Sequence, residues 1–235
     1  MNDIQSGLRG PLIIFDKEKN MSTENTTGPS ITELGDPSKP HGEAGAEMLS
    51  GMNEHHYEVT GWGLSFLELR KDSRVLDIGC GGGETLRRMS EKVTEGSLTG
   101  ADHSPLSVKM SLEHNHEAVS AGRLNVFEAS VGELPFADDS FDRIITVESF
   151  YFWEDPANDL KEVYRVLDER GIFLIVADIN GDAELSEEDL ANIRKYSLYN
   201  PTSAELEVLL TQAGFSSVKI HKKGGTSWIC AEGRK

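Results

Sequence analysis

Four glycines stand within five positions, from Gly79 to Gly83, directly after a short apolar run that ends at Ile78. A buried strand that breaks into glycines and restarts as a helix leaves backbone N–H groups free at the helix start. Because glycine has no Cβ, a ligand can approach this main chain closely, and the N–H groups attract negative charge. The pattern therefore predicts a turn that binds a small-molecule cofactor.

Two carboxylates accompany this turn. Asp77 lies in the strand that precedes the glycines, and Asp102 follows the next apolar run, residues 97–101. In nicotinamide-dinucleotide folds, an acid about 20 residues after the glycine turn binds the ribose. The interval from Gly83 to Asp102 fits that distance, so spacing alone keeps a dinucleotide among the candidate cofactors.

The charge and composition of the chain exclude several classes of partner. Residues 1–40 carry four basic and six acidic side chains, so −15 of the formal net charge of −17 belongs to the rest of the chain. An acidic surface without a basic stripe repels phosphate backbones, and we expect no nucleic-acid partner. No apolar run approaches the roughly 18 residues of a membrane helix, so we expect no membrane partner.

Neither the cysteines nor the histidines form a recognisable site in the sequence. Cys80 and Cys230 do not suggest a disulfide framework, which favours a reducing, cytoplasmic setting. Cys80 lies in the glycine turn, and we interpret it as a packing residue rather than a nucleophile. His55 and His56 are adjacent and lack the i, i+4 spacing of a helical metal site, so we expect no metal.

Apolar runs that alternate with helical patterns must position these residues. This alternation indicates an α/β fold with a parallel sheet. Residues 218–221 and 226–231 are joined by Gly224-Gly225, which predicts a closing hairpin. The predicted buried strands are residues 75–78, 97–101, 124–127, 144–147 and 172–176.

Capping residues set the expected helix boundaries. The pair Ser104-Pro105 predicts one helix that continues to about residue 120. The pair Asp155-Pro156 predicts another amphipathic helix, which Gly171 ends. Further helices are predicted at residues 84–93, 185–199 and 203–213.

Two motifs stand out in the chain. They are Asp77-x-Gly79-x-Gly81-x-Gly83 with Asp102 after the next strand, and the group Leu134-Pro135-Phe136, Asp138-Asp139 and Ser140-Phe141-Asp142. Together they resemble one known family, the class I S-adenosylmethionine (SAM)-dependent methyltransferases, and within it the type 11-like small-molecule branch. A dinucleotide dehydrogenase does not require the second motif, so the methyltransferase interpretation is favoured. The chain departs from the family at Ser130, where an acid usually lies near the adenine amino group.

The resemblance implies a Rossmann-like fold. Its seven-stranded sheet would be mostly parallel with an antiparallel closing hairpin, helices on both faces and an N-terminal helical lid. Residues 1–40 are expected to be a mobile tail, in which residues 1–20 are of uncertain origin and Met21 is a candidate native start. Residues 41–70 would form the lid and residues 71–235 the SAM-binding domain.

The resemblance also implies where each part of SAM would bind. The N–H groups of the glycine turn suit the methionine carboxylate, Asp102 the ribose hydroxyls, and Glu148 the region beside the sulfonium. His103 would flank the adenine, with Ser130 and Val131 at its other edge. The full cofactor-binding set is Asp77, Gly79, Cys80, Gly81, Asp102, His103, Ser130, Val131 and Glu148. The candidates for a lid or substrate pocket are Tyr57, Trp62, Tyr151 and Trp153.

The implied reaction is an in-line displacement that moves the methyl group to a small-molecule acceptor. The sulfonium is already a good leaving group, so proximity and alignment can contribute about 7–11 kcal/mol without a protein nucleophile. A general base is needed only for a protonated acceptor, and the candidates are Glu148, His55 and His56. The alternatives are an NAD(P)-dependent oxidoreductase on a Rossmann fold and a SAM-binding sensor without transfer activity. The sequence leaves the acceptor and the oligomeric state open.

Overall fold

A seven-stranded β-sheet forms the centre of the fold in the computed structural model, which describes residues 29–235. Its strands are β1 (Arg74–Ile78), β2 (Ser97–Asp102), β3 (Leu124–Glu128), β4 (Phe141–Val147), β5 (Leu167–Ala177), β6 (Ser217–Lys222) and β7 (Ile229–Arg234). The spatial order is β3-β2-β1-β4-β5-β7-β6. The first five strands are parallel, and β7 pairs antiparallel with both β5 and β6. The predicted mostly parallel sheet with a closing hairpin is therefore confirmed.

Helices cover both faces of this sheet. They are α1 (Ile31–Gly35), α2 (Gly42–His55), α3 (Tyr57–Leu64), α4 (Glu84–Ser90), α5 (Pro105–His114), α6 (His116–Ser120), α7 (Pro156–Val166), α8 (Glu187–Tyr196) and α9 (Ser203–Ala213). A short 3₁₀ helix, Phe150–Phe152, follows β4. Within the described residues, no helix has both the length and the apolar character needed to cross a membrane.

Side chains that alternate along each strand divide the core into two layers. Leu76 of β1 belongs to the layer that contains Leu160 of α7 and Leu210 of α9. The preceding residue, Val75, belongs to the opposite layer with Leu86 of α4. All five side chains are fully buried. Because both faces are covered, the strands read as continuous apolar runs rather than as alternating ones.

The strand order reverses beside β1, which pairs with β2 on one side and with β4 on the other. In open parallel sheets, the loops at the carboxyl ends of the strands separate at such a point and leave a crevice. The glycine turn follows β1, and Asp102 ends β2. The topology therefore brings both predicted motifs to the same edge of the sheet.

The predicted single helix from Pro105 to about residue 120 is wrong, because the chain breaks it into α5 and α6 at Asn115. This residue has φ −104° and ψ 22°, outside the helical region. Its buried side-chain amide donates hydrogen bonds to the carbonyl oxygens of Ser111 (2.9 Å) and Gly83 (3.0 Å). The helix is thus interrupted at Asn115, and the Asn115 side chain connects the end of α5 to the glycine turn.

The predicted helix end at Gly171 is also wrong. Helix α7 ends at Val166, and the buried Leu167 already belongs to β5. A buried apolar residue such as Leu167 fits the end of a helix and the start of a strand equally well, so apolar periodicity does not locate the boundary between α7 and β5. Gly171 lies inside β5, where a Cβ would collide with the Leu167 side chain.

Other boundaries differ by a few residues. The helix predicted at residues 84–93 ends at Ser90, and the helix predicted at residues 185–199 is shorter at both ends. In the closing hairpin, the Lys223 N–H donates to the Trp228 carbonyl oxygen (3.3 Å). The turn is therefore longer than Gly224-Gly225, and β7 starts later than predicted.

The part of the predicted tail that begins with α1 is structured, and Thr32 and Gly35 within it are buried. Ser30 caps α1 by accepting a hydrogen bond from the Glu33 N–H, and the Glu33 carboxylate accepts one from the Ser30 N–H (2.7 Å). Farther on, the Ser104 hydroxyl donates to the Pro40 carbonyl oxygen (2.6 Å). This part of the tail therefore belongs to the fold. The prediction of mobility for residues 1–28, Met21 included, lies outside the described residues.

We expect Asn115→Ala to lower the free energy of unfolding by about 1–3 kcal/mol, because the buried carbonyls of Ser111 and Gly83 lose a donor. Urea denaturation followed by circular dichroism measures the difference. His116→Ala is the matched control, since this neighbour is exposed and should change stability by no more than about 0.5 kcal/mol. An Asn115→Ala variant as stable as the control would show that the helix break contributes nothing to the fold.

Candidate functional site

A cleft of about 330 Å³ opens at the carboxyl ends of β1, β2, β3 and β4. The loops after these four strands line it, together with residues of α2 and of the segment before α2. All predicted cofactor-binding residues except Asp77 line this cleft. They are Gly79, Cys80, Gly81, Asp102, His103, Ser130, Val131 and Glu148.

The glycine turn adopts a backbone conformation that other residues rarely take. Gly79, Gly81 and Gly83 have φ values of +70°, +50° and +83°. A Cβ on Gly79 would also collide with the side chain of Ser149, which follows β4. Glycine is therefore required there by conformation and by close packing between two strand ends.

Most N–H groups of this turn already have acceptors within the protein. Those of Gly79 and Cys80 donate to the Ala101 carbonyl oxygen (2.8 and 3.3 Å), and that of Gly83 donates to the Cys80 carbonyl oxygen (2.9 Å). The Gly82 N–H has no acceptor among the described residues. The expectation that the whole turn offers its N–H groups to a ligand is therefore corrected: the available donor is Gly82, beside the start of α4.

The carboxylate of Asp102 holds the turn in place. Its Oδ2 accepts a hydrogen bond from the Gly81 N–H, and its Oδ1 accepts one from the Ser104 N–H, both at 2.9 Å. The side chain is buried, and this burial raises the pKa of Asp102 above its ordinary value against the opposing effect of the two hydrogen bonds. A carboxylate offers about four acceptor positions, so two remain for a ligand.

The three residues predicted to contact adenine lie at the same end of the cleft as Asp102. His103 and Ser130 are exposed and Val131 is half-buried. The His103 Nδ1 is 4.0 Å from the Asp102 Oδ1. The Ala129 N–H donates to the Asp102 carbonyl oxygen (3.0 Å), which holds the loop after β3 beside the end of β2. This end thus combines polar atoms with an accessible apolar surface.

Asp77 and Cys80 lie beneath the ligand-facing surface. Asp77 is 1% exposed, and its Oδ2 has no hydrogen-bond partner among the described residues. Burial and the neighbouring Asp102 charge raise the pKa of Asp77 well above its ordinary value. The Cys80 Sγ lies 3.9 Å from the Ser111 Oγ. The structure therefore does not place Asp77 in direct reach of a cofactor, whereas Cys80 borders the cleft and packs inward.

Two buried acids, Glu148 and Asp178, follow β4 and β5; Glu148 lines the other end of the cleft, and Asp178 lines a neighbouring cavity. The Tyr151 hydroxyl donates to the Glu148 Oε2 (3.0 Å), and the Glu148 carboxyl group contacts that of Asp178. Burial and the Asp178 charge raise the pKa of Glu148 well above its usual range, and burial raises that of Asp178 to about 7. Glu148 has a left-handed φ of +52°, a strained conformation for a residue with a side chain.

The two histidines proposed as bases lie beside these acids, at the junction of α2 and α3. His56 lines the cleft, and His55 lines a neighbouring cavity of about 810 Å³ that Asp178 also borders. Loss of solvent around the His56 ring and its proximity to His55 lower the pKa of His56 to about 3. The His56 imidazole is therefore neutral at physiological pH.

Of the four aromatic candidates for a lid or pocket, only Trp153 lines the cleft. Tyr57 is 45% exposed and stacks against the Arg88 guanidinium, 4.1 Å from the ring centre. Trp62 packs against the rings of Phe66 and Trp228. Tyr151 is buried and reaches the cleft only through Glu148. The assignments of Tyr57 and Trp62 to the cleft are therefore corrected. The sequence alone does not show which side of a helix lies against the cleft.

Residues that the sequence analysis did not identify complete the cleft. Asn53 of α2 lies against the glycine turn, and its amide donates to the Gly82 carbonyl oxygen (3.4 Å). Ser38, from the predicted tail, also lines the cleft. The Ser30-x-x-Glu33 capping box was the available signal that this segment is structured. Other lining residues of the N-terminal part are Pro37, Pro40, Leu49, Met52 and Thr60.

Comparisons with known proteins agree with this geometry. Residues 76–175 match the family described as "Methyltransferase domain". The chain is 30% identical over 155 residues to 2-methyl-6-phytyl-1,4-hydroquinone methyltransferase 1 of Oryza sativa subsp. japonica, a match that covers 66% of this chain and 44% of the rice protein. It is 33% identical over 174 residues to tRNA U34 carboxymethyltransferase of Sulfurimonas denitrificans, covering 69% of this chain and 57% of that protein.

The fold is also that of solved enzymes. A SAM-dependent methyltransferase from Aquifex aeolicus superposes with a TM-score of 0.62 at 20% identity, over 86% of this chain and 95% of that one. The two sequence relatives carry different acceptors in their names, and the chain spans only 44% and 57% of their lengths. The comparisons therefore agree on the type of domain but not on one acceptor.

We expect both thiols of the native chain to react far more slowly with Ellman's reagent than those of the denatured chain, because the thiolate is the reactive form. Cys80 and Cys230 are buried, and burial raises the pKa of Cys80 well above its usual range and that of Cys230 to about 12. Cys230→Ala leaves Cys80 as the single thiol for assignment. Rapid labelling of that variant in the native state would contradict the interpretation of Cys80 as a packing residue.

Proposed function

We propose that this chain, which belongs to the class I SAM-dependent methyltransferases, transfers the methyl group of SAM to a small-molecule acceptor. One observation carries the proposal: at the switch point of the sheet, the buried Asp102 carboxylate accepts a hydrogen bond from the Gly81 N–H, and the N–H of the next residue, Gly82, has no acceptor among the described residues. A nucleoside cofactor that also carries a carboxylate fits these two groups. Its hydroxyl groups can donate to Asp102, and its carboxylate can accept from the Gly82 N–H.

The residues of the cleft fit SAM part by part. The Gly82 N–H and the start of α4 would hold the methionine carboxylate. Asp102 would accept hydrogen bonds from the ribose hydroxyls through its two remaining positions. His103 and Val131 would flank the adenine, and the Ser130 hydroxyl would take the place of the family's usual acid.

Bound SAM supplies a methyl group on a positively charged sulfur, which is activated for displacement. The task of the chain is to hold the acceptor in line and to exclude water. Glu148 would lie on the side of the positive charge, and its strained backbone is typical of positions retained for function. Of the candidate bases, Glu148 and His56 line the cleft, whereas His55 does not, so only the first two can reach an acceptor there.

The surroundings of Glu148 support a small, neutral or cationic acceptor. Phe152 and Trp153 add apolar surface to this end of the cleft, and the formal net charge of −17 opposes a phosphate-rich substrate. The relatives' names include both a hydroquinone and a tRNA. We place the chain with the small-molecule enzymes because its acidity makes a nucleic-acid acceptor unfavourable.

We expect isothermal titration calorimetry to show SAM binding and no heat with NADH. Asp102→Ala should weaken SAM binding by at least about tenfold, or about 1.4 kcal/mol, because the ribose hydroxyls lose their acceptor. Glu128→Ala should bind as the wild type does; Glu128 is an exposed carboxylate at the matching register position of β3. Heat with NADH and none with SAM would favour the oxidoreductase alternative.

The loss of Asp102 also removes the acceptor of two backbone N–H groups, so a loosened turn must be separated from a lost ribose contact. The 2′,3′-dideoxy analogue of S-adenosylhomocysteine provides this separation. Wild type and Asp102→Ala should bind the analogue similarly, while S-adenosylhomocysteine itself should distinguish them. If both ligands distinguish them equally, the carboxylate only shapes the turn.

We expect incubation with methyl-labelled SAM to label a component of a small-metabolite extract and to leave an RNA extract unlabelled. Mass spectrometry of the product identifies the acceptor. Controls omit the chain or use Asp102→Ala. Label in RNA alone would overturn the small-molecule assignment, and SAM binding without a labelled product in either extract would favour the sensor alternative.

A further inference from the structure

Two histidines and a carboxylate converge on the boundary between the cleft and the neighbouring cavity. His55 and His56 stand where α2 ends and α3 begins, and Asp178 directly follows β5. One ligand atom from each lies within 4.8 Å of the others. Among the described residues, this is the one group of three or more His, Cys, Asp or Glu side chains with such convergence.

The carboxylates at this boundary have unsatisfied acceptor atoms. Neither the Asp178 Oδ1 nor the Glu148 Oε1 has a hydrogen-bond partner among the described residues, and both atoms are buried. The two carboxyl groups contact each other, and Tyr151 donates only to the other oxygen of Glu148. Buried carboxylate oxygens without donors are costly unless a proton or a cation lies between or beside them.

The kinds of ligand atom present distinguish between a shared proton and a bound cation. A shared proton would satisfy the carboxyl pair alone, but it gives no reason for two imidazoles to converge on Asp178. A cation that accepts nitrogen and oxygen ligands uses all three groups at once. Two imidazoles with one carboxylate suit transition metals such as Zn²⁺, whereas Mg²⁺ and Ca²⁺ prefer sites made of oxygen atoms alone.

We propose that His55, His56 and Asp178 bind a divalent transition metal ion of the Zn²⁺ type, with the Glu148 carboxylate next to it. Three protein ligands leave at least one coordination position for water or another molecule, as in sites that act on a substrate. That position would lie where the cleft meets the second cavity. The proposal departs from the expectation of no metal, which considered the spacing of histidines along a helix and the lack of a cysteine cluster.

The proposal does not rest on methyl transfer, and metal binding is measured without it. The full chain, treated with a chelator and dialysed, is titrated with Zn²⁺ in competition with a chromophoric chelator. We expect one equivalent to bind, and no binding of Mg²⁺ under the same conditions. Co²⁺ in place of Zn²⁺ should add visible absorption bands that report nitrogen and oxygen coordination.

The variants His55→Gln and Asp178→Asn should each weaken Zn²⁺ binding by about tenfold to a hundredfold. Each should also reduce the Co²⁺ absorption bands. His116→Gln is the matched control, because His116 is exposed and lies outside the group; it should bind as the wild type does. Circular dichroism confirms that each variant is folded.

Two results would overturn the site. One is a wild-type chain that binds no Zn²⁺, in which case a shared proton alone satisfies the carboxyl pair. The other is one equivalent bound with unchanged affinity and unchanged Co²⁺ bands in both variants, which places the metal elsewhere. A SAM titration of the same metal-free sample keeps failure of this site distinct from failure of the proposed methyltransferase function.

Discussion

The geometry of the cleft depends on the carboxylate of Asp102. One of its oxygens fixes the glycine turn through Gly81, and the other fixes the start of α5 through Ser104. The Ser104 hydroxyl in turn donates to Pro40, which anchors the segment that enters α2. A single buried side chain thus links the turn after β1, the end of β2 and the N-terminal elements that border the cleft. The two hydrogen bonds of Ser104 are buried and that of Gly81 is partly buried, so their loss would leave polar groups unpaired away from water.

At the Glu148 end of the cleft, the buried carboxyl groups are not satisfied in this way. At the Asp102 end, backbone N–H groups satisfy the carboxylate, whereas at the Glu148 end two carboxyl groups face each other with one oxygen of each unsatisfied. Such burial is tolerated only when a proton, a cation or a ligand compensates it. The protein alone therefore compensates the buried carboxylate at the first end and still leaves groups for a ligand, whereas at the second end compensation requires a proton or a bound group.

The sequence predicted what short-range patterns determine. The run from Asp77 to Gly83 predicted the strand and the glycine turn after it, and the strand pattern predicted the sheet, because each follows from conformational freedom or periodicity over a few residues. The break at Asn115 was missed because its reason is a contact with Gly83, far away in sequence. Tyr57 and Trp62 were misassigned for a related reason: an aromatic residue beside glycines has no local feature that tells which face its helix buries.

Long-range contacts also explain why the acceptor is harder to identify than the cofactor. The match to the methyltransferase family covers residues 76–175, which include the glycine turn, Asp102 and Glu148. His55 and His56 precede that region, and Asp178 follows it. The three side chains that converge beside Glu148 thus come from parts of the chain outside the family match, and the packing of α2 and α3 over the sheet brings them together. The matched region therefore contains the residues proposed to bind SAM, whereas the proposed acceptor end combines residues from inside and outside the match.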